Sequence, residues 1–270
     1  MLNSIFAMFS YSFLIRAVIV GILVSLCASL LGVSLVLKRF SMIGDGLSHV
    51  GFGALAIAGA LNLAPLAVAI PVVIIATFFL LKLKETNKDG DSMVAIISTS
   101  SLAIGITVVS FSTGMTTDIN NYMFGSILSL SKGDVILSIP LTIAVIVLFI
   151  LFYNRIFSIT FDERFAKATG QNVEILNTLI AVLTAVTIVL GMRLMGALLI
   201  SALIIFPALT SMKLFKSFLS VTISSAVVSV LSVLIGMVLS YNFNTPTGAG
   251  IVLVNLAIYI IFGIIRFFKA

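Results

Sequence analysis

An aspartate and the only histidine of the chain lie four residues apart, at Asp45 and His49, within an otherwise apolar run. If this run is helical, the i, i+4 spacing places both side chains on one helical face. A carboxylate oxygen beside an imidazole nitrogen suits a borderline divalent cation such as zinc or manganese. An ionisable group in hydrocarbon costs about 3 kcal/mol or more, so such a group usually faces a cavity and marks a transport route. The pair is therefore a candidate ion site.

The same pair has a simpler interpretation, in which Asp45 and His49 hydrogen-bond to each other and lock two helices together. Zinc normally takes four ligands, and one chain offers two from this face. A two-fold dimer with the motif near its axis would supply two aspartates and two histidines. A transport site also tolerates weak coordination, because the ion must leave it again.

Four glycines surround the pair, and their role is open between two interpretations. They would loosen the helix around a site that lines a cavity. Alternatively, they would allow helices to pack closely, as small residues commonly do in membranes. These positions are Gly44, Gly46, Gly51 and Gly53.

The composition shows what kind of element must position these residues. Only 9% of the 270 residues are charged (15 Lys and Arg, 9 Asp and Glu), whereas 61% are hydrophobic. A soluble protein carries about 25% charged residues. The composition excludes a soluble enzyme, a nucleic-acid binder and a disordered chain, and it predicts an all-α, polytopic helical membrane protein.

Charges and turn residues divide the chain into about nine apolar runs, each close to the roughly 20 residues that span a bilayer. Eight spans result if one of the shorter runs is re-entrant. No soluble domain remains, so we predict a single integral membrane domain over residues 1–270. The runs are 12–37, 44–62, 64–83, 93–112, 134–154, 174–192, 194–212, 217–240 and 247–265.

The distribution of Lys and Arg predicts the orientation, with the N-terminus outside and the C-terminus inside. In this orientation 12 of the 15 basic residues lie on the inner side, and only Arg16, Lys132 and Arg193 fall elsewhere. The net charge of +6 thus reflects membrane orientation and gives no indication of nucleic-acid binding. The inner residues are Lys38, Arg39, Lys82, Lys84, Lys88, Arg155, Arg164, Lys167, Lys213, Lys216, Arg266 and Lys269.

Residues 161–172 (FDERFAKATGQN) form a charged, helix-compatible segment on the predicted inner side. Gly170, near the end of this segment, is a candidate helix C-cap. The segment is either a solvated loop or a docking element for a cytoplasmic partner. No Gly-Lys dipeptide occurs in the sequence, so the chain has no Walker A loop with which to bind ATP itself.

Residues 36–53 (VLKRFSMIGDGLSHVGFG) resemble the signature of permease subunits of metal-ion ABC importers, the family that takes up zinc, manganese and iron. Four further stretches support the resemblance, which covers nearly the whole chain. Gly46 departs from the pattern, since many relatives carry alanine there. The supporting stretches are residues 121–128, 161–170, 195–208 and 245–248.

The resemblance implies a permease in a bacterial cell membrane that catalyses no covalent chemistry and holds no cofactor. Its expected partners are two cytoplasmic ATPase subunits, an extracytoplasmic metal-binding protein and a second permease chain, in a homodimer. Family members place metal-contacting residues at the positions of Asp45 and His49. They dock the ATPase through the segment that here contains Asp162, Glu163, Phe165, Ala166 and Gly170.

The similarity is greatest to the zinc uptake branch, so zinc is the expected ion, with manganese or iron as the alternative within the family. Two hypotheses lie outside it. A secondary transporter would couple protons through Asp45 and His49, because histidine titrates near neutrality. A membrane scaffold would use the same pair only to hold helices together.

Overall fold

The computed structural model describes residues 11–86, 90–111, 123, 125, 132–243 and 245–269. Every regular element within these residues is helical, which confirms the prediction of an all-α protein. The helices are α1 (Ser12–Leu37), α2 (Ser41–Ala60), α3 (Pro65–Thr86), α4 (Gly90–Phe111), α5 (Lys132–Leu151), α6 (Tyr153–Phe161), α7 (Glu163–Ala168), α8 (Val173–Met195), α9 (Ala197–Met212), α10 (Phe218–Phe243) and α11 (Thr247–Lys269).

Each predicted apolar run contains a long helix, although the ends differ by a few residues. Among the described residues, six helices are long and apolar enough to cross a membrane, namely α1, α3, α4, α8, α10 and α11. The pair formed by α5 and α6 adds a seventh if its 69° bend lies within one span, and α9 is a shorter apolar helix. The count of nine or eight spans, and the orientation, stay predictions.

Helices α2 and α4 run parallel and approach each other closely at glycines. A Cβ atom added at Gly46 would lie 2.8 Å from Val94 Cγ1, and one added at Gly53 would lie 2.8 Å from the backbone oxygen of Ser101. From the other side, a Cβ at Gly105 would meet the ring of Phe52. Small residues permit this approach, which is how helices commonly associate in membranes. The crossing fixes which face of α2 stays open.

Buried hydroxyl groups hold α1 against α10. The Ser229 hydroxyl donates to the backbone oxygen of Ser25 at 3.0 Å, and the Ser225 hydroxyl donates to that of Ser29 at 3.4 Å. The two bonds are one helical turn apart on each helix, and the residue numbers increase along α10 as they decrease along α1, so the two helices are antiparallel. Interhelical bonds of this kind contribute about 0.6 kcal/mol each in membranes.

Gly53 is the position at which the close contact between α2 and α4 can be tested. Gly53→Ala places a methyl group against a backbone oxygen that cannot rotate away, so we expect a loss of about 1–3 kcal/mol in stability. Gly44→Ala is the matched control on the same helix, because its Cβ would lie 3.5 Å from Ile204 Cδ1, which is an ordinary contact. The control gains helix propensity and should be neutral or slightly more stable. Thermal unfolding in detergent measures both; equal melting temperatures would contradict the close α2–α4 crossing.

Candidate metal centre

The helix that carries the candidate ion site begins directly after a tightly closed turn at the end of α1. The Phe40 N–H donates to the backbone oxygen of Leu35 at 2.7 Å, and the Arg39 N–H donates to that of Val36 at 3.1 Å. This is a Schellman motif, in which the residue after the C-cap adopts a left-handed conformation. Arg39 has φ 60° at this position, where glycine is usual, at a cost of roughly 1 kcal/mol. The turn therefore sets the start of α2 at Ser41.

The structure brings the two predicted ligands together on the open face of α2. His49 Nε2 lies 3.8 Å from Asp45 Oδ2, and their side chains are 23% and 46% exposed. Asp45 is the fifth residue of α2, so it lies about 6 Å along the axis from the first residue. Met42 continues the same exposed stripe. The pair is thus open on one side and close to one end of the helix.

The two atoms of the pair that face each other, His49 Nε2 and Asp45 Oδ2, are not joined by a hydrogen bond. The separation of 3.8 Å is too long for a direct hydrogen bond. His49 Nδ1 is buried without a hydrogen-bond partner among the described residues. The neighbouring Ser48 hydroxyl is engaged elsewhere: it lies 2.7 Å from the Asp45 backbone oxygen and 3.1 Å from the Ser201 hydroxyl. This geometry does not favour the interpretation of a simple Asp45–His49 hydrogen bond.

The spacing is compatible with one shared ion. Two ligand atoms bound to the same zinc at about 2.1 Å are up to about 4.2 Å apart, and about 3.4 Å apart in a tetrahedral site. Small side-chain rotations therefore suffice to bring both atoms onto one ion. Among the described residues, no group of three or more His, Cys, Asp and Glu side chains lies together. A single chain thus offers two of the four ligands that zinc usually takes.

The glycines around the pair serve close packing. A Cβ at Gly51 would meet the side chain of Met192 on α8, as those at Gly46 and Gly53 would meet α4. Gly44 has more room. Because α2 remains a regular helix from Ser41 to Ala60, the glycines do not produce irregular backbone. At Gly46, Val94 would have to shift to admit a methyl group.

The second predicted functional segment forms the short helix α7 with well-defined ends. The Phe165 N–H donates to Asp162 Oδ1 at 2.9 Å, so Asp162 is the N-cap. Gly170 adopts φ 83°, and the Gln171 N–H donates to the backbone oxygen of Ala166 at 3.0 Å. The prediction that Gly170 terminates a helix is confirmed, again by a Schellman motif.

The predicted docking residues of α7 divide between two sides. Phe165 is 63% exposed, whereas Ala166 is completely buried and attaches α7 to the rest of the fold. Glu163 is turned towards the end of α1, where its carboxylate is 48% exposed. A role of this helix in binding an ATPase stays a prediction. Residues 121–128, which support the family resemblance, lie outside the described residues except for Met123 and Gly125.

Sequence reasoning missed the partners of Glu163. Lys38 Nζ lies 2.6 Å from Glu163 Oε1 and 2.6 Å from Asn177 Oδ1. Partial burial raises the pKa of Glu163, but the hydrogen bonds and charge of Lys38 and the Asn177 amide outweigh it, so the net pKa is lowered. The sequence placed Lys38 only among the inner-side basic residues. Its partners are 125 and 139 residues away, beyond the reach of any local pattern.

Comparison with known proteins identifies the class that this fold and site define. Residues 10–266 match the model of the ABC 3 transport family. The chain therefore belongs to the ABC 3 transport family. It is a multi-pass permease of a bacterial cell membrane, and this membership confirms the prediction of a transporter subunit whose ATPase is separate.

Three similar proteins illustrate the range of the family. The high-affinity zinc uptake system membrane protein ZnuB of Buchnera aphidicola is 32% identical over 250 residues, covering 92% of this chain and 95% of that protein. The manganese transport system membrane protein MntC of Listeria monocytogenes is 29% identical over 252 residues, covering 93% and 90%. The solved structure of PsaBC from Streptococcus pneumoniae in complex with Fab matches with a TM-score of 0.88 at 28% identity, covering 97% of this chain and 95% of that one.

Asp162, the N-cap of α7, is the position at which the stability of this helix can be tested. Asp162→Ala removes the bond to the Phe165 N–H, which should cost about 1 kcal/mol, or a roughly fivefold higher population of the opened helix. Asp162→Asn is the matched control, because its amide oxygen caps equally well. Hydrogen exchange of the amides of residues 163–168 measures the effect. Equal exchange in the alanine and asparagine variants would contradict the cap.

Proposed function

We propose that the chain is the permease of an ATP-driven importer for divalent metal ions, with zinc as the transported ion. Asp45 and His49 offer a transient site to an ion delivered by an extracytoplasmic binding protein. Hydrolysis of ATP by a separate cytoplasmic subunit, bound at α7, drives the change of access. The whole chain acts as one permease domain, and the ion is cargo that passes through it.

The observation that carries this proposal is the open, unsaturated Asp45–His49 pair. Its atoms are close enough to share an ion, its histidine lacks a protein hydrogen bond among the described residues, and one side of it is exposed. A mixed nitrogen and oxygen ligand set suits zinc better than a hard cation that prefers oxygen alone.

A second copy of the chain would complete the site. Helix α4 lies beside α2 and carries an exposed stripe of small residues, Thr99, Ala103 and Thr107. The two threonine hydroxyls donate within their own helix, at 2.7 and 2.8 Å to carbonyls four residues earlier. Such a face has no unsatisfied donors and admits another helix closely. Pairing of two copies along this side would bring two aspartates and two histidines towards a common axis.

The prediction for the ion site uses the reconstituted complex of permease, ATPase and binding protein in proteoliposomes. Asp45→Asn and His49→Gln remove one ligand each while keeping a similar shape, so we expect uptake of radioactive zinc to fall at least tenfold. ATPase assembly should not change. Thr99→Ser, which keeps a hydroxyl on the neighbouring helix, is the control and should transport normally.

Several outcomes would contradict the proposal. Zinc uptake at the wild-type rate in both variants would exclude the ligand assignment. Saturable manganese uptake without zinc uptake would replace zinc by manganese. Uptake by the chain alone, driven by a pH gradient, would indicate the proton-coupled transporter. Normal growth of a deletion strain in chelated medium would favour the scaffold.

Pairing of two copies along α4 can be tested with single cysteines introduced into a Cys27→Ser variant. Thr99→Cys on the small-residue face of α4 should cross-link two copies in membranes upon oxidation. Ile150→Cys is the control: it is 64% exposed on α5, which packs on α1 and α8 rather than on α4. Cross-linking at Ile150→Cys but not at Thr99→Cys would place the interface elsewhere, and cross-linking at neither would contradict a dimer.

A further inference from the structure

A buried lysine at the end of α1 joins three parts of the protein that the proposed mechanism leaves unconnected. The Lys38 side chain is only 6% exposed, although it follows the last residue of α1. Its ammonium donates to Glu163 on α7 and to Asn177 on α8, each at 2.6 Å. The Asn177 amide donates in turn to the same carboxylate oxygen of Glu163 at 3.3 Å. We call Lys38, Glu163 and Asn177 the lysine clamp.

The chemistry of the clamp makes it a strong and directional connection. A hydrogen bond between two charged groups is shorter and roughly twice as strong as a neutral one. A buried ammonium that loses its partner is left uncompensated, so the clamp opposes any separation of α7 from the end of α1. The lowered pKa of Glu163 agrees with a carboxylate that stays ionised beside this cation. The amide of Asn177 orients both charged groups from α8.

The clamp is connected to the ion site by a short and rigid path. Lys38 is the C-cap of α1, and its own N–H donates to the backbone oxygen of Ser34 at 3.0 Å. The closed turn continues through Phe40 to the first residue of α2, and Asp45 follows one helical turn later. Six residues thus separate Lys38 from Asp45, and all of them lie in the closed turn or in the first turn of α2.

On its other side the clamp is connected to the proposed ATPase contact. Glu163 is the first residue of α7, and Phe165 on the same helix is exposed. A displacement of α7 by a bound ATPase would therefore act on Glu163 directly. The six-residue helix is too short to bend within itself, so it moves as a unit.

We propose that the lysine clamp transmits the state of the ATPase from α7 to the beginning of α2, and thereby opens or closes the ion site at Asp45 and His49. Lys38, Glu163 and Asn177 are positioning residues, because they touch neither ATP nor the ion. This inference rests on the proposed function. It adds the route by which the ATPase contact reaches the ion ligands.

The test measures zinc uptake and ATP hydrolysis together in the reconstituted complex. Lys38→Met keeps the length of the side chain and leaves Glu163 free to face water, so the fold is retained. We expect zinc transported per ATP hydrolysed to fall at least fivefold, while ATP hydrolysis stays within twofold of wild type. Lys216→Met is the matched control, because Lys216 is an exposed basic residue in the α9–α10 connection. It should leave the ratio unchanged.

Reversal of the charges distinguishes coupling from a general loss of structure. Lys38→Glu alone places two carboxylates together and should lower the ratio further. The double variant Lys38→Glu with Glu163→Lys restores opposite charges, and the Asn177 amide can turn to serve either. We expect the exchanged pair to recover the ratio to within twofold of wild type. A wild-type ratio in Lys38→Met, or a ratio that falls only as far as ATPase assembly falls, would overturn the proposal.

A second measurement is independent of transport. Hydrogen exchange on the full chain in lipid nanodiscs should show at least fivefold faster exchange in Lys38→Met at the amides of residues 38–44 and of residues 163–168 together. Faster exchange in only one segment, or in neither, would show that the clamp does not couple them. If both segments respond but the wild-type complex transports no metal, the proposed function fails and the clamp stands.

Discussion

The close approach of α2 to α4 is the contact on which the arrangement of the candidate site depends. Lipid tails are as apolar as leucine side chains, so helices in a bilayer associate through packing and hydrogen bonds rather than through burial from water. Gly46 and Gly53 supply that packing against Val94 and the backbone of Ser101. Once these two glycines face α4, helical geometry turns Asp45 and His49 to the open side. The packing face and the ligand face of α2 are thus set by one register.

The candidate ion site lies near one end of α2. Asp45 is the fifth residue of α2, and this helix begins directly after the closed turn that ends α1. Lys38 precedes the first residue of α2 by three residues, so the lysine clamp is connected to this end of α2 through the closed turn.

The sequence predicts the features that local pattern determines. The spacing of Asp45 and His49, the all-helical fold and the helix end at Gly170 all depend on neighbouring residues, and all three agree with the structure. The bend of 69° between α5 and α6 was not predicted, because no proline or glycine marks it. The ion pair between Lys38 and Glu163 was missed because it depends on how α1, α7 and α8 pack. The spacing of residues in the sequence predicts contacts within one helix, whereas Lys38, Glu163 and Asn177 come from the ends of three different helices.

Helix α2 also shows why apolarity alone misjudges a helix that carries function. It contains five glycines, an aspartate and a histidine, and it is not among the six apolar candidate spans of the described residues. Hydropathy measures fitness for contact with lipid, but α2 is surrounded by α3, α4, α8 and α9, and most of its residues are buried. Its surroundings, and not the bilayer, determine the cost of its polar groups. The outer helix α11 has exposed isoleucines and phenylalanines. An aspartate and a histidine on such a face would contact lipid directly, and the free-energy cost of burying them there would be higher. Within the described residues, an enclosed helix with one open face is therefore a suitable position for the candidate ion ligands.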